Sequence, residues 1–229
     1  MGRAQDDGDR AAAPVDATTA SQHVLRMRFF SDNAATIHPR VMAAIAAADF
    51  VVENAPERLE IKRSIFEQLS AQVRDDVILA SDTSGIPISA LQKGLTNPGR
   101  VIGMHWSNPP YLIPVIEVVK GDQTTKETVD TTVAIVESLG MVPGIVDRDV
   151  PGFVENRILY AIMREALHLL DEGVASAEDI DTIVKWGIGY KLGVIGPLQL
   201  RDMAGLAIST AVADRKGQTL NTGHLVLPY

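Results

Sequence analysis

The chain has 229 residues, of which 46% are hydrophobic and 22% charged, so it can bury a sizeable core and is not a disordered chain. Its net charge of −8 gives it no positive field for a phosphate backbone, which argues against nucleic acid as a partner. It contains no cysteine, which excludes disulfides, thiolate nucleophiles and cysteine-ligated metal sites.

The first 23 residues are rich in alanine, aspartate, arginine and threonine and have no periodic apolar face. This composition predicts a flexible tail over residues 1–23. The tail has no hydrophobic stretch typical of a secretory signal, and no apolar run in the chain approaches the ~18 residues of a membrane helix. We therefore expect a soluble, cytoplasmic protein without a membrane partner.

Strand-like and helix-like patterns alternate between residues 24 and 147. The predicted strands are 24–30, 49–55, 77–81, 100–105, 114–121 and 141–147. The predicted helices are 33–48, 57–73, 88–93 and 124–140. Strands joined by helices indicate βαβ units, so the pattern predicts an α/β fold with a parallel sheet and helices on its faces.

The strand pattern stops at Pro151-Gly152, and the rest of the chain is helical. A long amphipathic helix is predicted over 153–173, and Ser176 with Asp179 resembles a capping box for a second helix that Gly187 would end. Another helix is expected from about Pro197, whereas residues 214–229 have weak periodicity. The predicted division is an α/β domain over 24–150 and an all-α domain over 151–229.

His105 and Glu117 lie in the part of the sequence richest in polar residues and proline, 103–119. His105 ends a predicted strand, at the sheet edge where open α/β folds bind ligands, and Glu117 lies within the next strand. A histidine can exchange a proton near neutral pH, and a carboxylate on its other nitrogen would fix its tautomer. By composition alone, a histidine such as His105 is more often a buried packing residue, and a glutamate such as Glu117 is more often a solvent-facing one at a strand end.

Two further polar residues lie at element boundaries. Ser84 follows the predicted strand 77–81, and Asn156 lies in the first turn of the long helix. A serine in a turn and an asparagine near a helix start also have purely local explanations. The boundary between an α/β part and a helical part is nevertheless a typical place for a ligand cleft.

Four segments together resemble the NAD-dependent L-3-hydroxyacyl-CoA dehydrogenase family. They are SDTSGIPISAL, GMHWSNPPYLIPVIEVV, PGFVENRILYAIMREAL and the stretch from GVASAEDIDTIVKWG to LQLRDMAGL. NPPY and NRILYAIMREALHLLDEG are also similar to the lambda-crystallin/L-gulonate dehydrogenase branch. The resemblance covers residues 24 to 206 and implies a Rossmann-like sheet followed by an all-α domain.

The resemblance implies a role for each of the four polar residues. His105 would be the general base that takes the proton of the substrate hydroxyl, and Glu117 would orient it. Ser84 and Asn156 would hydrogen-bond the reacting oxygen. The hydride would pass to NAD, and no metal is expected in this site.

The resemblance also implies a cofactor site around residues 54–62. The backbone of Asn54 and Ala55, with Glu57 and Lys62 nearby, matches a stretch of the family that lines the NAD site. Glu57 and Lys62 have an equally weighted alternative, which is a solvated first helical turn.

This chain departs from the family pattern in two ways. Asp82 and Gly85 stand where the family usually has asparagine and a second serine. No strand followed by G-x-G-x-x-G precedes residue 49, so the first βαβ half of the NAD-binding domain is expected to be incomplete. The chain is interpreted as shortened at both ends, with an open apolar sheet edge beside strand 49–55 that predicts self-association.

The function implied is NAD-dependent oxidation of a 3-hydroxyacyl-CoA, as in fatty acid metabolism, by a homodimer. One alternative is a catalytically silent remnant or interaction subunit, because the glycine-rich turn is not found. Another is a dehydrogenase of a free 3-hydroxy acid such as a sugar acid, which the sequence does not separate from the first.

Overall fold

The structure is a computed structural model that describes residues 27–29 and 39–204. It divides into two compact units, Met1–Val154 and Glu155–Tyr229. The predicted tail over 1–23 and the weakly periodic stretch 214–229 lie outside the described residues.

The first unit is built on a six-stranded sheet in the order β1-β2-β3-β4-β5-β6. The strands are β1 Met27–Phe29, β2 Phe50–Glu53, β3 Ile78–Ser81, β4 Val101–Trp106, β5 Val115–Lys120 and β6 Val142–Val146. The helices are α1 Pro39–Ala46, α2 Leu59–Gln72, α3 Ile88–Gln92 and α4 Lys126–Ser138, with a 3-10 turn at Pro98–Arg100. Each of these elements lies within or close to a segment whose pattern predicted it.

Both faces of the sheet are covered, because its apolar strands direct alternate residues into two separate clusters. On one face Val51 packs with Phe66 of α2, and on the other Val52 packs in the cluster that contains Val136 of α4. All four residues of β2 are buried. This arrangement confirms the predicted α/β fold with helices on both faces.

The prediction of a wholly parallel sheet is wrong at one pair of strands. β4 and β5 pair antiparallel, whereas the other neighbouring strands are parallel. The reason is the short connection over residues 107–114, since a parallel crossover needs about a dozen residues or more. This antiparallel pair carries both His105 and Glu117.

The expected open edge beside β2 is also not observed. β1 pairs in parallel with β2, with Met27, Arg28 and Phe29 in register with Phe50, Val51 and Val52. The alternating segment MRF is therefore the hydrogen-bonding neighbour that β2 was predicted to lack.

The second unit is helical. It contains α5 Glu155–Asp171, α6 Ala177–Ile183, a π-helical segment Val184–Gly189, α7 Tyr190–Leu192 and α8 Pro197–Ala204. The Ser176 hydroxyl accepts a hydrogen bond from the Asp179 N–H at 3.1 Å, which confirms the predicted cap. Gly187 does not end this helix, because it keeps a right-handed conformation inside the π-helical segment. Within residues 27–29 and 39–204, no helix combines the length and the apolar character needed to cross a bilayer.

Candidate active site

His105 and Glu117 are partners across the antiparallel β4–β5 ladder. The Nδ1 atom of His105 lies 2.8 Å from Oε2 of Glu117, and each residue is 5% exposed. Side chains directly opposite each other on adjacent strands point to the same face, so the ladder itself brings the imidazole and the carboxylate together. Glu117 is therefore not the solvent-facing residue that its strand position also allowed.

The second oxygen of Glu117 is bound as well. Its Oε1 accepts a hydrogen bond of 3.0 Å from the backbone N–H of Val154. The fully buried ring of Phe153 contacts the imidazole of His105 edge-on, with 5.7 Å between the ring centroids. A buried imidazole with a carboxylate on Nδ1 can exchange a proton through Nε2, because the carboxylate stabilises the charged ring.

Ser84 follows β3 at the same end of the strands as His105 in β4. It is an exposed residue in the loop after β3, and β3 and β4 are parallel, so the loop begins beside the end of β4 that carries His105. Asn156 lies in the first turn of α5 and belongs to the second unit. Their predicted contacts with the reacting oxygen stay predictions.

Glu57 holds the loop that carries Ser84. Its Oε1 accepts hydrogen bonds from the Thr83 hydroxyl at 2.5 Å and from the N–H groups of Gly85 and Ile86 at 3.0 and 3.3 Å. The side chain keeps 45% of its surface exposed. Glu57 is therefore solvated, as the alternative interpretation expects, but it also binds three donors of one loop, and its place in the cofactor site stays a prediction.

Lys62 is a buried member of an ion pair. Its Nζ lies 2.9 and 3.0 Å from the two carboxylate oxygens of Glu53 and donates to the Ala55 carbonyl at 2.9 Å. The Ser81 hydroxyl donates to the same carboxylate at 2.7 Å. Because the Lys62 and Glu53 side chains are 1% and 0% exposed, the solvated-turn interpretation is wrong for Lys62.

Sequence reasoning missed Glu53 and Ser81, and it missed the contact made by Asp82. Glu53 ends the otherwise apolar strand FVVE, and a charged residue in such a strand was the signal that could have drawn attention to it. The Asp82 carboxylate accepts a hydrogen bond from the Trp106 N–H at 3.1 Å. The backbone N–H of Asp82 donates to the Glu53 carbonyl at 2.9 Å. Burial raises the pKa of Asp82, although the Trp106 hydrogen bond opposes that rise.

The end of β2 offers a feature that fits the expected NAD. The side-chain oxygen Oδ1 of Asn54 is buried and has no hydrogen-bond partner among the described residues. A buried acceptor without a donor is costly, so it suits a ligand that supplies one, such as a ribose hydroxyl. Ala55 follows it, and both lie at the carboxyl end of a parallel strand, where dinucleotides bind in such sheets.

Two family models match nearly the whole chain. The model for the NAD binding domain of 3-hydroxyacyl-CoA dehydrogenase matches residues 9–150. The model for the C-terminal domain of 3-hydroxyacyl-CoA dehydrogenase matches residues 152–226.

Two relatives are similar over most of the chain. It is 49% identical to the 5-formyl-3-hydroxy-2-methylpyridine 4-carboxylate 5-dehydrogenase of Mesorhizobium japonicum over 81% of its length, and 41% identical to the L-carnitine dehydrogenase of Burkholderia mallei over 73%. The chain spans 60% and 52% of the lengths of these two proteins.

A solved structure shares the fold. The crystal structure of a 5-formyl-3-hydroxy-2-methylpyridine 4-carboxylic acid 5-dehydrogenase, described as an NAD⁺-dependent dismutase, superimposes with a TM-score of 0.73 at 48% identity. The match covers 82% of this chain and 61% of that one.

Proposed function

Because the chain belongs to the 3-hydroxyacyl-CoA dehydrogenase family, whose cofactor is NAD, we propose that it oxidises the hydroxyl of a small, free hydroxy acid, with His105 as the general base. The observation that carries this proposal is the buried 2.8 Å contact between His105 Nδ1 and Glu117 Oε2. It supplies a base of the kind that proton removal from an alcohol requires, already paired with a carboxylate.

The proton transfer follows from the chemistry of this pair. With Nδ1 hydrogen-bonded to Glu117, His105 would take the hydroxyl proton at Nε2, and the resulting imidazolium would be stabilised by the carboxylate. Ser84 and Asn156 would hydrogen-bond the substrate oxygen as it gains and loses charge. Bound NAD would supply the hydride acceptor, in a site lined by Asn54, Ala55, Glu57 and Lys62.

A free acid is favoured as substrate by the activities for which the similar enzymes are named. One is a dehydrogenase of a pyridine carboxylate and another of L-carnitine, and neither name contains coenzyme A. The second candidate substrate is a 3-hydroxyacyl-CoA, as in fatty acid metabolism. The name of the family to which the chain belongs favours this thioester. Under either proposal residues 24–150 would form the NAD-binding domain and 151–229 the helical domain of a cytoplasmic homodimer.

The test uses the full chain and begins with a fluorescence titration of NADH. Rates are then compared for L-carnitine, L-3-hydroxybutyrate and L-gulonate against L-3-hydroxybutyryl-CoA. We expect micromolar NADH binding and a kcat/KM for one free acid about 100-fold above that for the thioester. The reverse preference would establish the second candidate. No binding at millimolar NADH would overturn both and leave the catalytically silent remnant.

A further inference from the structure

Phe153 has a backbone conformation that few bulky residues adopt. Its φ is +48°, directly after Gly152 at +76°, and it is the only residue other than glycine with a positive φ among those described. A large L-residue in this region is strained by about 1–3 kcal/mol, and it stays there only when its surroundings hold it.

The turn at Phe153 directs a backbone donor at Glu117. The N–H of the next residue, Val154, lies 3.0 Å from Oε1 of Glu117, while Oε2 of the same carboxylate binds His105. Each carboxylate oxygen thus has its own nitrogen partner. A carboxylate held through only one oxygen can rotate about its terminal bond, whereas one held through both cannot rotate without losing a hydrogen bond.

The side chain of Phe153 acts on the imidazole itself. Its ring meets the His105 ring at an interplanar angle of 62°, an edge-on arrangement favoured by aromatic pairs. Phe153 is 0% exposed and belongs to the core cluster that includes Val119 and Val146 from β5 and β6. The ring is therefore enclosed in the core on this face of the sheet, where it lies edge-on to the imidazole.

We propose that Phe153 and Val154 form a clamp that positions the His105–Glu117 pair, with the ring fixing the imidazole and the N–H fixing the carboxylate. The effect of the clamp on turnover rests on the proposed function. The hydrogen bond and the ring contact that define the clamp do not. Neither residue touches the reacting atoms, so both are positioning residues. A misplaced general base lowers turnover by up to about 100-fold, which is the effect that the clamp prevents.

The clamp is tested with Phe153→Leu against Phe66→Leu. Phe66 is also 0% exposed and belongs to the same core cluster, so both variants lose a buried ring at similar cost in stability. The readout is the ¹⁵N spectrum of the His105 ring, recorded in a pH series and compared at a pH where the series shows the ring to be neutral. His105→Gln identifies its signals among the five histidines.

We expect the wild type and Phe66→Leu to contain only the tautomer with hydrogen on Nδ1. In Phe153→Leu the tautomer with hydrogen on Nε2 should become detectable, and turnover should fall about 10-fold below that of Phe66→Leu. Identical tautomer populations in the two variants would overturn the clamp. If the wild type has no dehydrogenase activity, the proposed function fails, but the tautomer comparison still decides on the clamp.

A second measurement uses only the wild-type protein, so it gives a result even if a variant fails to fold. In the wild-type protein the Val154 amide hydrogen should exchange with solvent at least about 100-fold more slowly than an unstructured amide, because its hydrogen bond ends on a buried carboxylate. Exchange at the unprotected rate would overturn the clamp directly.

Discussion

The two nitrogen atoms of an imidazole can have different surroundings and therefore different roles. In this molecule Nδ1 of His105 faces a carboxylate that is 5% exposed, in an environment where charged hydrogen bonds are stronger than in water. The contact fixes which nitrogen carries hydrogen in the neutral ring. The proposed proton transfer at Nε2 rests on this difference between the two nitrogens.

Replacing the imidazole tests that role. His105→Gln should lower kcat by at least ~100-fold, because an amide cannot accept a proton as a general base. The matched control is His168→Gln in α5, where the histidine side chain is 63% exposed, and its kcat should equal that of the wild type. Steady-state kinetics with the preferred substrate provides the measurement. Near-normal turnover in His105→Gln would show that another group takes the proton.

Asp82→Asn should increase stability at neutral pH. Burial raises the pKa of Asp82 in the folded protein above its value of about 3.9 in the unfolded chain. The folded state therefore holds the proton more tightly, and its stability falls as pH rises from the unfolded to the folded pKa. The amide avoids this loss and can still accept the Trp106 N–H. Thermal melts at pH 7 should show a higher Tm than wild type, and the difference should disappear at about pH 3, below both pKa values.

The control for this variant is Asp76→Asn. Asp76 is exposed, and its hydrogen bond with Arg74 lowers its pKa, so removing its charge should give no increase in Tm at pH 7. An equal increase in both variants would mean that net charge, and not burial of the Asp82 carboxyl, is responsible.

At the scale of secondary-structure elements, the buried ion pair of Lys62 and Glu53 is the main polar connection between a helix and the sheet. Lys62 extends from α2, Glu53 ends β2 and Ser81 ends β3, so one cluster ties a helix to two strand ends. The Ala55 carbonyl also binds Lys62, which fixes the chain where the cofactor is proposed to bind. Loss of Lys62 would leave a carboxylate buried without its counter-charge.

We therefore expect Lys62→Met to lower the free energy of unfolding by about 3–5 kcal/mol. Adding Glu53→Gln in the same chain should recover part of this loss, because it removes the uncompensated charge. Urea unfolding measures both, and Lys93→Met at an exposed lysine should change the free energy by no more than about 0.5 kcal/mol. A loss below 1 kcal/mol in Lys62→Met would contradict an important role for the pair.

Elements and partnerships were predictable from sequence to different degrees. The strand FVVE follows from its run of apolar, β-branched residues, and the helix with apolar Ile65, Phe66 and Leu69 follows from helical periodicity. Both are local properties of the sequence. The direction of β5 was missed because strand patterns do not encode orientation, and only the short connection after β4 does. The contact of Ser81 with Glu53 and that of Thr83 with Glu57 were missed because they join segments 28 and 26 residues apart.

At the scale of the whole molecule, the helical unit leaves much apolar surface exposed. None of the residues of α5 is buried, and its exposed side chains include Ile158, Leu159, Met163, Leu167 and Leu170. Four of them, from Leu159 to Leu170, recur every three or four positions along the helix, and an exposed apolar helix face of this kind usually marks an interface. The open sheet edge that predicted self-association is not observed, because β2 is paired with β1. The exposed apolar side chains of α5 provide a different reason to expect self-association.

The proposed homodimer is tested on this surface. We expect the full chain to elute as a dimer in size-exclusion chromatography with light scattering at micromolar concentration. Leu167→Asp places a charge where 63% of an apolar side chain is exposed, and should shift the protein to monomer. Glu165→Asp, at an exposed acidic position of the same helix, is the control and should remain dimeric. A wild-type monomer with a cooperative melt would refute the homodimer.

The antiparallel pairing of β4 with β5 also bears on how the chain folds. His105 and Glu117 are separated by only 12 positions, whereas the parallel pairs of the sheet require a crossover to close first. We expect this hairpin to be among the earliest parts of the sheet to form, and pulse-labelled hydrogen exchange during refolding should protect its amides before those of β2. The base and its carboxylate would then be assembled by local folding, ahead of the surfaces that select cofactor and substrate.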